Sequence, residues 1–366
     1  MNIALRRIPV AAIFCSTFLL WTVSAKCQTD SQSGKGYEVF ISNEKGGTLT
    51  VVDSADFKVI DTIPIGKRPR GIHASPDGKT VYVAVSGTPI EPPPKLDANG
   101  NPIFLKGHDD DDDDNVKSDK AADGIGIVDV AQRKFLRKIN AGSDPEQFCV
   151  SADGKRLYIS NEDVGAATVL DPTTDKILTF IPVTREPEGS GVSPDGKFFY
   201  ITCETGGDVF AIDAQTFKII GHIKVRPRPR NVDFLPDGSR AFIPSESYGE
   251  LNVIDTASQK LVKVITLPLH SRPQCVKVSA DGKKVYVSNG RAGTVSVVDA
   301  NTYEVLNTIP VGKRPWGITF SPDGKYLFTA NGPSDDVSVI DLATEKEVAK
   351  IKSPGSPWGV VAVEKE

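Results

Sequence analysis

The sequence predicts an all-β protein, a seven-bladed β-propeller with four antiparallel strands in each blade. Three observations predict it. A Ser-Pro/Ala-Asp-Gly turn recurs about every 42 residues, an aliphatic residue followed by Asp recurs in step with it, and the two ends of the chain read as parts of one unit. Four short strands repeating at this period are the signature of propeller blades, which close in a ring and leave only short edges.

The turn opens at Ser75, Ser151, Ser193, Ser279 and Ser321, and Leu235 opens the variant Leu-Pro-Asp-Gly. Successive spacings are 76, 42, 42, 44 and 42. The chemistry is that of a tight hairpin: Pro fixes φ, Asp bonds its own backbone, and Gly accepts φ > 0. The second marker falls at Asp53, Asp129, Asp171, Asp213, Asp255, Asp299 and Asp341. Each such Asp is expected to cap the turn that follows it. Seven markers mean seven units, and the one long gap means one insertion.

Residues 315–351 show the content of a unit. Gly317 to Phe320, Tyr326 to Ala330, Val337 to Ile340 and Val348 to Ile351 read as four strands rich in β-branched and aromatic residues. Tyr37 to Asn43 matches strand two of a unit, and Pro357 to Val363 matches strand one. The C-terminal strand is therefore expected to complete the first blade.

Around the repeats lie three further segments. Arg6 and Arg7, an apolar run from Ile8 to Val23 and the small residues Ser24 and Ala25 read as a secretory signal over residues 1–25. A linker over 26–36 follows, and the propeller occupies 37–366. The insertion, about residues 86–123, falls between strands two and three of one blade. Pro92, Pro93 and Pro94 stiffen its start, and Asp109 to Asp114 form an unbroken acidic run. Like charges in a row repel, and the run lacks EF-hand spacing, so a solvated loop is expected.

Composition excludes several classes. Loss of Arg6 and Arg7 takes the formal charge from −4 to −6, which disfavours binding to a nucleic-acid backbone. No segment after the leader is apolar enough to span a membrane. Cys27, Cys149, Cys203 and Cys275 are scattered, without the spacing of a disulfide framework, a zinc site or a covalently attached haem. No nucleophile elbow is present, and His73, His108, His222 and His270 occupy unlike repeat positions. The expectation is a periplasmic or secreted monomer without a cofactor.

The blades differ most at one face. Strand order puts the loop entering strand one and the loop after strand two on the same side of the disc, opposite the Pro-Asp-Gly hairpins. A proline precedes every strand one, and its flanking residues vary round the ring: Arg68/Arg70, Asp144/Glu146, Glu186/Glu188, Arg228/Arg230, Arg272/Gln274, Arg314/Trp316 and Ser356/Trp358. This charged and aromatic rim is the candidate site for a ligand or partner. The competing reading is that acidic and basic neighbours simply pair across blades. Glu44, Glu162, Glu204 and Glu246 follow strand two at equivalent positions, and Glu162, Glu204 and Glu246 are the candidate metal ligands.

The second strand carries Tyr-Val-Ser-Asn at 286–289, Tyr-Ile-Ser-Asn at 158–161 and Phe-Ile-Ser-Asn at 40–43. These resemble the YVTN family of bacterial β-propeller repeats over nearly all of the chain after the leader. Longer motifs, among them Glu186-Pro187-Glu188-Gly189, Arg314-Pro315-Trp316-Gly317 and Ala330-Asn331-Gly332-Pro333-Ser334, are similar to the subgroup called PQQ-dependent catabolism-associated β-propeller proteins. That resemblance implies the company of periplasmic quinoprotein alcohol oxidation systems, and it brings no catalytic residues with it. The expectation is then a non-enzymatic binding or scaffold protein whose partner is a periplasmic dehydrogenase or cytochrome, or a small anionic ligand. The alternative is a metal-dependent, lactonase-like hydrolase with its site at the top of the central channel.

Overall fold

The computed structural model describes residues 36–90 and 118–365, and within them the chain forms seven sheets of four antiparallel strands. The expected leader, most of the linker, and the proline and aspartate runs of the insertion lie outside the described residues. The first sheet has the order β28-β1-β2-β3, with β1 Tyr37–Asn43, β2 Thr48–Asp53, β3 Val59–Pro64 and β28 Pro357–Glu364. In it Val39 faces Ala362 and Ile41 faces Val360, so the C-terminal strand closes the ring. The other blades run in sequence order, each opening with an innermost strand: β4 Ile72–Ala74, β8 Pro145–Val150, β12 Pro187–Val192, β16 Asp233–Phe234, β20 Pro273–Val278 and β24 Pro315–Phe320.

The repeated turn does what its residues dictate. Ser75 Oγ donates to Asp77 Oδ1 (2.6 Å), the Lys79 and Thr80 amides bond Asp77 and Ser75, and Gly78 takes φ +69°. The marker aspartates cap the following turn, as when the Thr173 and Thr174 amides donate to Asp171 Oδ1. Strands two and three are buried on both faces because blades pack face to face, as where the Tyr158 and Phe199 rings stack at 4.1 Å.

The strand-two motif has a physical role in this packing. Its hydroxyl ties one blade to the next: Ser42 Oγ donates to the Arg70 carbonyl (2.6 Å), Thr202 to Arg230 (2.6 Å) and Ser288 to Trp316 (2.6 Å). Its asparagine clamps strand two to strand three, with Asn43 Nδ2 on Thr50 Oγ1 (2.9 Å) and Asn289 Nδ2 on Ser296 Oγ (2.8 Å). Cys149, Cys203 and Cys275 are buried free thiols, and burial pushes Cys149 and Cys203 up to about 12. Among the described residues no helix is long and apolar enough to cross a membrane.

Candidate functional site

Each loop entering an innermost strand has the same backbone. The residue before the proline is left-handed in every blade: Arg68, Asp144, Glu186, Arg228, Arg272, Arg314 and Ser356 have φ between 42° and 63°. Non-glycine residues avoid this region, at a cost on the order of 1 kcal/mol each. In most blades a hydrogen bond from the end of strand two holds this residue there. The Glu162 amide donates to the Asp144 carbonyl (3.1 Å), Glu204 to Glu186 (2.9 Å), Glu246 to Arg228 (2.9 Å) and Glu44 to Ser356 (3.0 Å). The charged rim and the strand-two glutamates are thus two sides of one joint.

The joints surround a cavity of about 430 Å³ at the channel mouth. Two buried charge clusters build its wall. In one, Arg70 bridges Asp144 Oδ1 (2.5 Å) and Glu146, reaching from the second blade to the third. In the other, Arg230 bonds Glu188 (2.8 Å), Glu204 and Glu246, and Arg228 reaches Glu204 (3.1 Å) and Glu246 (3.3 Å). Arg70 and Arg230 are 3% and 6% exposed, so these are interior ion pairs and not surface ones. Against the burial that would raise it, Arg230 and Arg228 hold Glu246 down at about 2. Arg272 stands 3.7 Å from Glu246, and Arg68 pairs with Glu44 at 3.3 Å while its Nη1 donates to the Thr88 carbonyl. Thr88, Pro89 and Ile90 begin the insertion, whose base therefore forms part of the cavity edge.

Glu162 and Arg314 stand apart from this pairing, as does Lys45 at the cavity edge. Glu162 lines the cavity with no guanidinium or ammonium at ion-pair distance among the described residues. Burial, then Glu188 and Asp144, push its carboxyl well above the ordinary range. Arg314 lies over the Trp316 ring, 4.7 Å from its centroid, and also lacks a contacting carboxylate among the described residues. Trp316 and Trp358 stack with centroids 5.4 Å apart. One wall is thus ionic and the other aromatic.

The expected residues are distributed unevenly over this site. Arg68, Arg70, Glu146, Glu188, Arg228, Arg230, Arg314, Trp316 and Trp358 line the cavity, Asp144 lies buried behind it, and Arg272 faces a neighbouring groove. Glu186 is half-buried. Glu204 and Glu246 are committed to arginines. Glu162 instead meets Asp144 and Glu146, with one oxygen from each within 4.8 Å of the others. Arg70 already bonds two of these three carboxylates, so the donor set is served by a guanidinium and does not fit a metal well.

Residues lining the floor were not visible in the rim pattern. Two residues after the proline, Gly71, Gly189, Gly317 and Gly359 allow innermost strands to approach closely; a Cβ on Gly189 would stand 2.2 Å from the Arg230 carbonyl. Gln147, Asn231 and Cys275 replace glycine in the remaining blades, and that exchange is the signal in the sequence. A second cavity of about 360 Å³ lies on the hairpin face, but its Glu38 and Lys365 are paired with Arg133 and Asp53.

Residues 190–354, blades four to seven, match the family described as Lactonase, 7-bladed beta-propeller. No curated protein matches the chain. Among solved structures it is similar to a putative 6-phosphogluconolactonase from Bacteroides uniformis, with 17% identity, TM-score 0.70, and 90% of this chain and 100% of that one covered. The periplasmic gluconolactonase PpgL of Pseudomonas aeruginosa is 18% identical, with TM-score 0.67 and coverage of 90% and 99%. Kuenenia stuttgartiensis hydrazine synthase is 22% identical, with TM-score 0.67 and coverage of 83% and 92%. These likenesses agree on the fold. The lactonase family match corrects the expectation of a non-enzymatic scaffold attached to quinoprotein alcohol oxidation. The physical reason is local: the rim encloses a cavity, and the Glu162 carboxyl in it has no ion-pair partner among the described residues.

Proposed function

We propose that the chain is a lactonase-like hydrolase acting at the mouth of the central channel, in the periplasm. The leader read from the sequence supports the compartment, as does the compartment named for PpgL. The YVTN likeness belongs to the blade and carries no chemistry. The observation that carries the reaction is Glu162, a cavity carboxylate without a cationic partner among the described residues and with a raised pKa. Such a group takes a proton at the pH where it works.

The step needs only the chain's own groups. Glu162 takes a proton from water as the water oxygen bonds to the lactone carbonyl carbon. The carbonyl π pair moves to its oxygen, where the guanidinium of Arg68, which lines the same cavity as Glu162, stabilises the charge. The intermediate collapses, the ring C–O bond breaks, and the ring oxygen takes the proton back from Glu162. One lactone and one water become one hydroxy acid. Arg314 offers a cation without a contacting carboxylate among the described residues to an anionic arm of the substrate, and Trp316 and Trp358 offer a face to its ring.

A panel of sugar-acid and alkyl lactones, followed by acid release, tests this. Wild type should open at least one lactone, and Glu162→Gln should lose about 10²–10⁴ of the rate. Dialysis against a chelator should leave the rate unchanged. No ring opening above buffer for any lactone overturns the reading. Activity lost on chelation and restored by a divalent cation replaces Arg70 with a metal at the Asp144, Glu146 and Glu162 carboxylates.

A further inference from the structure

Beneath the cavity lies a chamber of about 20 Å³, which shares Glu188, Arg230, Trp316 and Trp358 with the space above. Its remaining wall includes the side-chain amides of Gln147, Asn231 and Gln274. Asn231 and Gln274 are 9% and 4% exposed, and their strands are joined by the Asn231 amide on the Gln274 carbonyl (3.5 Å). Among the described residues no protein donor reaches Asn231 Oδ1 or Gln274 Oε1, whereas the Gln147 side chain bonds the His73 ring. Buried side-chain acceptors are almost always bonded, because leaving one unmet costs about 1–3 kcal/mol. Two unmet acceptors around one small space therefore call for one donor between them.

The size and charge of the chamber decide which donor. A water needs roughly 10–15 Å³ of such space, and a lactone ring is far too large for the chamber. A cation would sit beside the Arg230 guanidinium. Water offers an O–H to the amide oxygens, has a second O–H that can turn to a base, and carries no charge.

We propose that Asn231 and Gln274 hold an ordered water at the floor of the site, and that this is the water consumed in the hydrolysis. This rests on the lactonase-like reading. Asn231 and Gln274 are positioning residues: they fix the oxygen where the chamber meets the cavity that Glu162 lines, and the proton leaves to Glu162 as in the step above. The two amide oxygens bond a water through both of its O–H groups at rest but an alcohol through its single one, so the floor favours water over other acceptors.

Three measurements test the proposal. Asn231→Leu and Gln274→Leu keep the volume and remove the acceptors. In dilute methanol the wild type should yield hydroxy acid almost alone. The Leu variants should lose kcat by roughly tenfold to a hundredfold at unchanged KM, and should raise the share of methyl ester. An unchanged kcat, or an unchanged ester share, overturns the proposal. Asn231→Asp, which keeps an acceptor oxygen in place, should recover most of the selectivity for water; failure to recover it also counts against the proposal. The occupant is read without any reaction, by a high-resolution crystal structure and by water relaxation dispersion of wild type against the Leu variants. A long-lived water in wild type, lost in the variants, supports the proposal, whereas a cation or no ordered group sinks it. If that water is present but no lactone is opened, the lactonase-like reading fails and the water site stands.

Discussion

Arg230 and Glu246 meet through one carboxylate oxygen: Nε lies 2.8 Å and Nη2 2.5 Å from Glu246 Oε2. Glu188 and Glu204 bond the same guanidinium, so one cation organises three buried carboxylates from two blades. Removing it leaves charges that water cannot reach. Arg230→Met should therefore cost about 3–5 kcal/mol, measured by urea unfolding. Glu246→Gln should cost less, because Arg230 keeps its other partners. The depressed Glu246 pKa makes its contribution complete above the ordinary carboxylate range and lost as pH falls toward about 2. The gap between wild type and Glu246→Gln should thus narrow as unfolding is repeated at lower pH, and a constant gap would count against the pairing.

Glu162 has the opposite sign. Its raised carboxyl is stabilising only while protonated, so its contribution is present below the ordinary glutamate pKa and is lost as pH rises through the raised value. Glu162→Gln should match wild type near pH 4 and melt higher than wild type above neutrality. The same substitution should abolish the rising limb of the pH–rate profile. A variant both less active and less stable at neutral pH would mean that Glu162 is paired after all.

Much of the fold could be read because its signals are local. Ser75, Asp77 and Gly78 form their turn from their own hydrogen bonds, and the same bonds recur wherever the residues recur. The positions of Arg68, Arg228 and Arg314 were legible because Pro69, Pro229 and Pro315 mark where each inner strand begins. Their partners were not legible, because Arg70 finds Asp144 across 74 positions of sequence, in the next blade. Nor does composition tell a surface pair from an interior one. Only the ring's closure places these charges in a low-dielectric mouth, where Glu162 becomes the carboxylate without a cation. Of the floor amides, Gln274 was named only as a rim position, and Gln147 and Asn231 escaped notice because their meaning lies in what they replace, a glycine that other blades require for close strand contact.

Arg314 should act on binding and not on the chemical step. Its guanidinium lies on Trp316 and has no contacting carboxylate among the described residues. Arg314→Met keeps the apolar stem and removes the charge. A lost charge-assisted hydrogen bond is worth about 1.5–3 kcal/mol, so KM for a carboxylate-bearing lactone should rise about tenfold to a hundredfold while kcat holds. Wild-type affinity should weaken with salt and the variant's should not. Trp316 and Trp358 are two of the three tryptophans, the third being Trp21, so binding is readable as a change in their fluorescence. An unchanged KM would remove Arg314 from substrate binding.

The strand-two hydroxyl should matter more than its size suggests. Ser288 Oγ donates to the Trp316 carbonyl (2.6 Å) and accepts from the Cys275 amide (3.0 Å), joining two inner strands at the aromatic wall. Ser288→Ala leaves both backbone groups buried and unmet, at a cost of about 1–3 kcal/mol by urea unfolding. It should also shift tryptophan emission, because Trp316 loses the tether on its backbone. Thr202 makes the equivalent bond to Arg230 at 2.6 Å, so the site tolerates a branched hydroxyl in another blade. Ser288→Thr should therefore retain most of the stability and the emission spectrum, and equal losses in the two variants would show that shape, and not the hydroxyl, couples the blades.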